Sequence, residues 1–178
     1  LIKKGATFRQ NRLEALLVHE VGTHVFRYEN GKLQPLRLLQ RGTVNYLQTE
    51  EGLAVYNQNL LGLGLGQKFF QPAYLVIAIY MGQKMGFCDL FHYLQETYAL
   101  TDDEAWKLCV KVKRGFVDTS KPGVFTKDLM YFYGQRDIQK FLKKGGAIRE
   151  LYYGKYAIED LPFIQKMEGL VEPKYLLE

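Results

Sequence analysis

A histidine pair set five positions apart, with a glutamate beside the first, restricts this chain more than any other feature of its sequence. The segment reads His19-Glu20-Val21-Gly22-Thr23-His24. It lies within a stretch, about Gln10 to Tyr28, where Leu13, Leu16, Leu17, Val21 and Val25 recur at steps of three and four. That is the period of a helix with one apolar face. On a regular α-helix a step of five turns two side chains roughly 140° apart, so the imidazoles would diverge. A single π-turn, whose repeat is i to i+5, returns them to one face. Gly22, inside the interval, eases the distortion. The spacing therefore predicts a helix widened at these residues. The plainer alternative is two histidines and a glutamate that are satisfied polar groups of a core.

If the imidazoles do share a face, they suit a zinc ion, and the intervening Glu20 suits a general base. A hydrolytic zinc site needs a third protein ligand and an open position for water. Glu50 and Glu51 are the candidates. Thr49 resembles an N-cap, which places both carboxylates in the first turn of a second helix running to about Leu61. The intervening loop is long enough to lay that helix antiparallel beside the first. His92 is expected to be structural or exposed.

The rest of the chain reads as mostly α, with α+β as the alternative. Leu1 to Phe8 suits a short edge strand, Asn30-Gly31 a helix stop, and Leu33 to Tyr46 a loop. Gly62, Gly64 and Gly66 follow a helix rather than a strand and lack the dinucleotide spacing, so they read as a loop. Helices are expected from Pro72 to about Lys84, Asp89 to Tyr98, and then to Gly115 after a capping box at Thr101-Asp102-Asp103-Glu104. After a turn at Thr119–Gly123 they resume near Thr126–Tyr133, Arg136–Lys144, Ile148–Tyr152 and Glu159–Met167. With 178 residues the chain suits one domain, and no apolar run is long enough to cross a bilayer. The start at Leu1, with no signal peptide, is read as that of a piece of a longer protein. Cys88 and Cys109 have no C-x-x-C partner and are expected to be buried, reduced thiols, which favours the cytoplasm. The net charge of +5 suits either an acidic partner or a solvated face.

Several ordered motifs carry a resemblance: HEVGTH, TEEGLA, VKRGFVDTS, GVFTKDLMYFYG and YYGKYAIEDLP. Together they span about Arg12 to Pro162. They resemble the bacterial flavohemoglobin expression-modulating QEGLA motif proteins, a family similar to the eukaryotic microtubule-associated tyrosine carboxypeptidases. The resemblance implies a zincin-like, minimal gluzincin domain over residues 1–178. His19, His24 and Glu51 would be the zinc ligands, Glu20 the catalytic base, and Glu50 a residue orienting a histidine. It further implies a carboxypeptidase acting on a protein or peptide C-terminus, as the eukaryotic members do in removing the terminal tyrosine of α-tubulin.

A carboxypeptidase must hold a terminal carboxylate. Arg114 and Lys127, in the two matching downstream motifs, are the candidates, against surface charge or an ion pair with Asp118 or Asp128. Tyr131 is a candidate for the oxyanion, against a core aromatic. The expected partner is a protein or peptide C-terminus, an acidic one included, with no nucleic acid and no membrane. Two rival readings are a non-catalytic metal-binding module that affects another protein's expression, and a site for Mn or Fe. A structural zinc has no use for Glu20 and usually fills all four positions with Cys or His.

Overall fold

The computed structural model describes residues 5–7, 10–63 and 71–177. It is mostly helical, with no strand among the described residues. Residues 5–7 are turn and coil; the rest of the expected Leu1–Phe8 strand, and most of the glycine-rich loop, lie outside the described residues. Among the described residues no helix is long and apolar enough to cross a membrane.

The chain divides into two compact units, residues 1–67 with 133–178, and residues 68–132. In the first unit α1 (Gln10–His19) runs through a π-helical segment (Glu20–Val25) into α2 (Phe26–Lys32). Then come α3 (Leu38–Arg41) and α4 (Tyr46–Leu60). The unit closes with most of α8 (Leu129–Lys143), 3-10 turns at Ile148–Tyr152 and Ile158–Asp160, and α9 (Leu161–Ile164). Asn30-Gly31 does not stop the first helix. Gly31 is buried within α2 because a Cβ there would lie 2.3 Å from the Leu39 carbonyl oxygen, so its glycine serves close packing on α3. Likewise Gly134 does not split α8. A Cβ on Gly52 of α4 would fall 2.1 Å from the Gly134 carbonyl carbon, so the two helices meet backbone to backbone. Two apolar clusters fill this unit, one around Leu39, Tyr156 and Ile164, the other around Leu53, Ile138, Leu151 and Tyr152.

The second unit holds α5 (Gln71–Gly82), α6 (Phe87–Tyr98) and α7 (Asp102–Lys113) around Leu75, Ile79, Leu90, Leu94, Cys109 and Val112. The capping box forms as its spacing predicts, with Thr101 Oγ1 accepting from the Glu104 N–H and the Glu104 carboxylate from the Thr101 N–H. Cys109 is buried, and burial pushes its thiol up to about 12 against the nearby Lys113 charge. Cys88, by contrast, is exposed, because it falls on the outer face of α6.

Much of the basic excess is paired locally. Lys107 binds Asp103, Lys111 and Arg114 bind Asp128, and Lys140 binds Asp137. Lys113 is different. It is 1% exposed, and its ammonium donates to the carbonyls of Gly82, Met85, Lys121 and Gly123 at 2.5–3.0 Å. It closes the ends of α5 and the 115–125 loop around one charge. Lys113→Met is expected to cost about 3 kcal/mol, since buried carbonyls lose their donor. Urea denaturation measures it, and a loss below about 1 kcal/mol would show that water replaces the ammonium.

Candidate metal centre

The π-turn that the histidine spacing predicts is present. The Phe26 N–H reaches back to the Val21 carbonyl, an i to i−5 bond, and the His19 and His24 rings come to 5.0 Å between centroids. Widening a helix disturbs its carbonyl ladder, and here side chains answer it. The Tyr152 hydroxyl donates to the Gly22 carbonyl at 2.8 Å. Asn57 Nδ2 donates to that hydroxyl and to Thr23 Oγ1, each at 2.8 Å, and Thr23 donates to the Val18 carbonyl. Burial raises the Tyr152 pKa, keeping the phenol a donor. Gly22 has no left-handed φ; a Cβ there would meet Leu177 Cδ1 at 2.8 Å, so its glycine makes room for that side chain.

The apolar face expected of this helix is not the inward one. Leu13, Leu17, Val21 and Val25 are exposed, while Thr23, Arg27 and Asn30 are fully buried. The helix buries polar groups because each meets a polar partner: Asn57 of α4 for Thr23, the Leu151 and Tyr156 carbonyls for Arg27, and the backbone of Lys174 and Tyr175 for Asn30.

Helix α4 begins at Tyr46, after Asn45 in the left-handed region at φ 62°. Thr49 is thus inside the first turn rather than its cap, and its hydroxyl accepts from the Ile158 N–H. Glu51 then reaches both histidines. Its Oε2 lies 3.3 Å from His19 Nε2 and 3.8 Å from His24 Nε2. Among the described residues, His19, His24 and Glu51 form a group whose ligand atoms all lie within 4.8 Å of one another. Ligands held at about 2.1 Å by a tetrahedral zinc stand about 3.4 Å apart. The buried Glu51 Oε2 has no hydrogen-bond donor, as fits an oxygen awaiting a cation. The donor set fits a zinc ion with one position left open.

Glu50, 1% exposed, meets the other nitrogen of His24, with Oε2 3.2 Å from Nδ1. Lys155 Nζ lies 3.1 Å from its Oε1, and Arg27 Nη1 3.9 Å. Burial alone would raise the Glu50 pKa. The His24 hydrogen bond and the charges of Arg27, His24 and Lys155 outweigh it, and the carboxyl sits below its ordinary value. His19 is raised, chiefly by the Glu51 carboxylate facing its Nε2 at 3.3 Å and against the effect of burial. An entering metal must displace that proton, so apparent affinity falls as pH drops through the raised pKa. Glu20 is exposed next to His19, clear of the ligand group.

Arg114, Lys127 and Tyr131 belong to the other compact unit. Arg114 Nη2 pairs with Asp128 Oδ1 at 2.7 Å and its guanidinium lies over the Phe125 ring. Lys127 is exposed, and Tyr131 is half-buried in the first turn of α8. His92 is exposed. Two residues escape the sequence reading. Arg27 carried a signal, a cation three positions after His24 on a helix; Lys155 carried only its place in the YYGKYAIEDLP motif, with no spacing that ties it to the histidines.

Comparison with known proteins agrees with the resemblance. The family model described as microtubule-associated tyrosine carboxypeptidase matches residues 1–178. A mouse protein named "Putative tyrosine carboxypeptidase MATCAP2" is 32% identical over 178 residues, 96% of this chain and 34% of its own length. The human microtubule-associated tyrosine carboxypeptidase 1 is 40% identical over 131 residues, 71% of this chain and 27% of its own. The rat protein of the same name is 39% identical over 131 residues, with the same coverage. The chain spans about a quarter to a third of the length of the relatives it matches. By a family match over its whole length, this chain belongs to the microtubule-associated tyrosine carboxypeptidase family.

Proposed function

We propose that the chain carries the catalytic centre of a zinc-dependent, zincin-like carboxypeptidase that hydrolyses the last peptide bond of a protein or peptide, with tyrosine as the favoured terminal residue. The observation that carries the reading is the grouping of His19, His24 and Glu51 around an undonated carboxylate oxygen, in a chain of this family. His19 and His24 would hold zinc through Nε2, and Glu51 through Oε2. Zinc bound there would polarise the scissile carbonyl and lower the pKa of a coordinated water to about 7. Glu20 takes the proton of the attacking water and delivers it to the departing amine nitrogen. Glu50 keeps His24 turned with Nδ1 away from the ligand group. Arg114 and Lys127 are assigned to the substrate carboxylate and Tyr131 to the oxyanion on family motifs alone. For Arg114, that role requires sharing its guanidinium with Asp128.

The ligand assignment predicts that the protein takes up one zinc per chain, measured by elemental analysis. His19→Ala with His24→Ala should abolish uptake, and Glu51→Gln should weaken it more than Glu20→Gln does. Stoichiometric zinc in the double histidine variant would refute the site. Zinc uptake with no cleavage of any peptide by the full-length protein would favour a non-catalytic metal-binding module.

Cleavage direction is tested with matched peptides. Free-acid peptides ending in tyrosine should be cut at a kcat/KM at least about 100-fold above their C-terminal amides, because an amide leaves a carboxylate-binding cation unpaired. Arg114→Ala or Lys127→Ala should narrow that gap, and Lys143→Ala should not. Equal cleavage of acid and amide would mean an endopeptidase or aminopeptidase.

A further inference from the structure

We propose that Lys155 is a positioning residue of the metal centre, acting with Arg27 through Glu50 on His24. The proposal rests on the zinc reading above and adds a part of the site that family motifs do not assign. Glu50 is a buried carboxylate held between His24 and two cations. Its Oε2 faces His24 Nδ1 at 3.2 Å and accepts from Lys155 Nζ at 3.3 Å; Lys155 Nζ also lies 3.1 Å from Oε1, and Arg27 Nη1 3.9 Å from it. A histidine that ligates through Nε2 must carry its proton on Nδ1, and a carboxylate at Nδ1 fixes that tautomer and the ring plane. A carboxylate this deeply buried does that work only while it stays charged, which needs cations close by.

The two cations are anchored differently. Arg27 is fully buried and spends its other donors on the Leu151 and Tyr156 carbonyls, at 2.9 Å each. It ties the frame of the unit together, so its removal confounds stability with positioning. Lys155 keeps part of its surface exposed, and its backbone is pinned separately: its N–H donates to the Leu39 carbonyl, and its own carbonyl accepts from Thr43 N–H. The side chain can therefore be changed while the segment stays in place. Lys155 also reaches the site from residues 147–157, far along the chain from the histidines. It makes the geometry of His24 depend on whether that segment is docked.

The test uses Lys155→Met, Lys155→Arg, Glu50→Gln and the Lys155→Met/Glu50→Gln double variant. Zinc affinity is measured by competition with a chromophoric chelator, and the ligand field from the visible spectrum of the cobalt-loaded protein. Thermal melts of the metal-free forms serve as the folding control. Lys155→Met is expected to weaken zinc about 10- to 100-fold and to shift the cobalt spectrum. Lys155→Arg should restore both. The double variant should lose little beyond Glu50→Gln alone, since both act through one carboxylate. An unchanged affinity and spectrum in a folded Lys155→Met protein would overturn the proposal. So would a loss that adds fully to that of Glu50→Gln. Wild-type protein that binds neither zinc nor cobalt would overturn the zinc reading itself, a distinct result.

Discussion

Glu20→Gln is expected to leave zinc content at the wild-type level while lowering kcat for a peptide ending in tyrosine by about 10²- to 10⁴-fold. The amide keeps the shape of the side chain and loses the proton acceptor. The separation of metal from activity follows from the geometry. Glu20 is exposed at the start of the π-segment and stands outside the ligand group, so the histidines and Glu51 keep their contacts without it. Turnover and elemental analysis on the same preparation check both halves. Zinc lost together with activity would make Glu20 a ligand. Turnover retained would require another base.

Gly52→Ala is expected to destabilise the first compact unit by about 3 kcal/mol or more. The new methyl would sit 2.1 Å from the Gly134 carbonyl carbon and 2.5 Å from its Cα. These are backbone atoms and cannot rotate away, so α4 and α8 must part. The reverse change meets the same wall, because a Cβ on Gly134 would lie 2.0 Å from the Gln48 carbonyl oxygen. Gly22→Ala is the comparison. Its methyl meets only the tip of Leu177, which can turn aside, so its loss should be smaller. Urea denaturation of the metal-free proteins ranks them. Gly52→Ala within about 0.5 kcal/mol of wild type would show that the two helices have slack at this crossing.

What the sequence discloses about this site is what local geometry controls. The π-turn is legible because two histidines at a step of five can share a face in no other helical form, and the Thr101 capping box because its partners are three residues apart. Faces and ends that depend on distant chain are not legible. The Leu13-Leu17-Val21-Val25 stripe has the period of a core face yet is exposed, because periodicity identifies a stripe without saying what lies across from it. Thr49 has cap chemistry, but Asn45 starts the helix earlier. Gly31 and Gly134 read as breaks until the neighbouring backbones are known. Glu50 and Glu51 are adjacent and chemically identical. The resemblance chooses Glu51 as ligand, and the helix phase gives the physical reason, putting one carboxylate near Nε2 of both histidines and the other on Nδ1 of His24. Arg27 and Lys155 become meaningful only once Glu50 is known to be buried between them.

The crossing of α4 and α8 has one more consequence, for the entropy of metal capture. Glu51 is the residue next to Gly52, where two backbones touch with no side chain between them. A drift of the Glu51 Cα would drive one helix into the other. The backbone freedom of this residue is thus removed when the chain folds, before any ion arrives. An ion bound there would meet a backbone already in place and would not have to order a loop, so association should be limited by shedding water from the ion rather than by rearrangement of the protein.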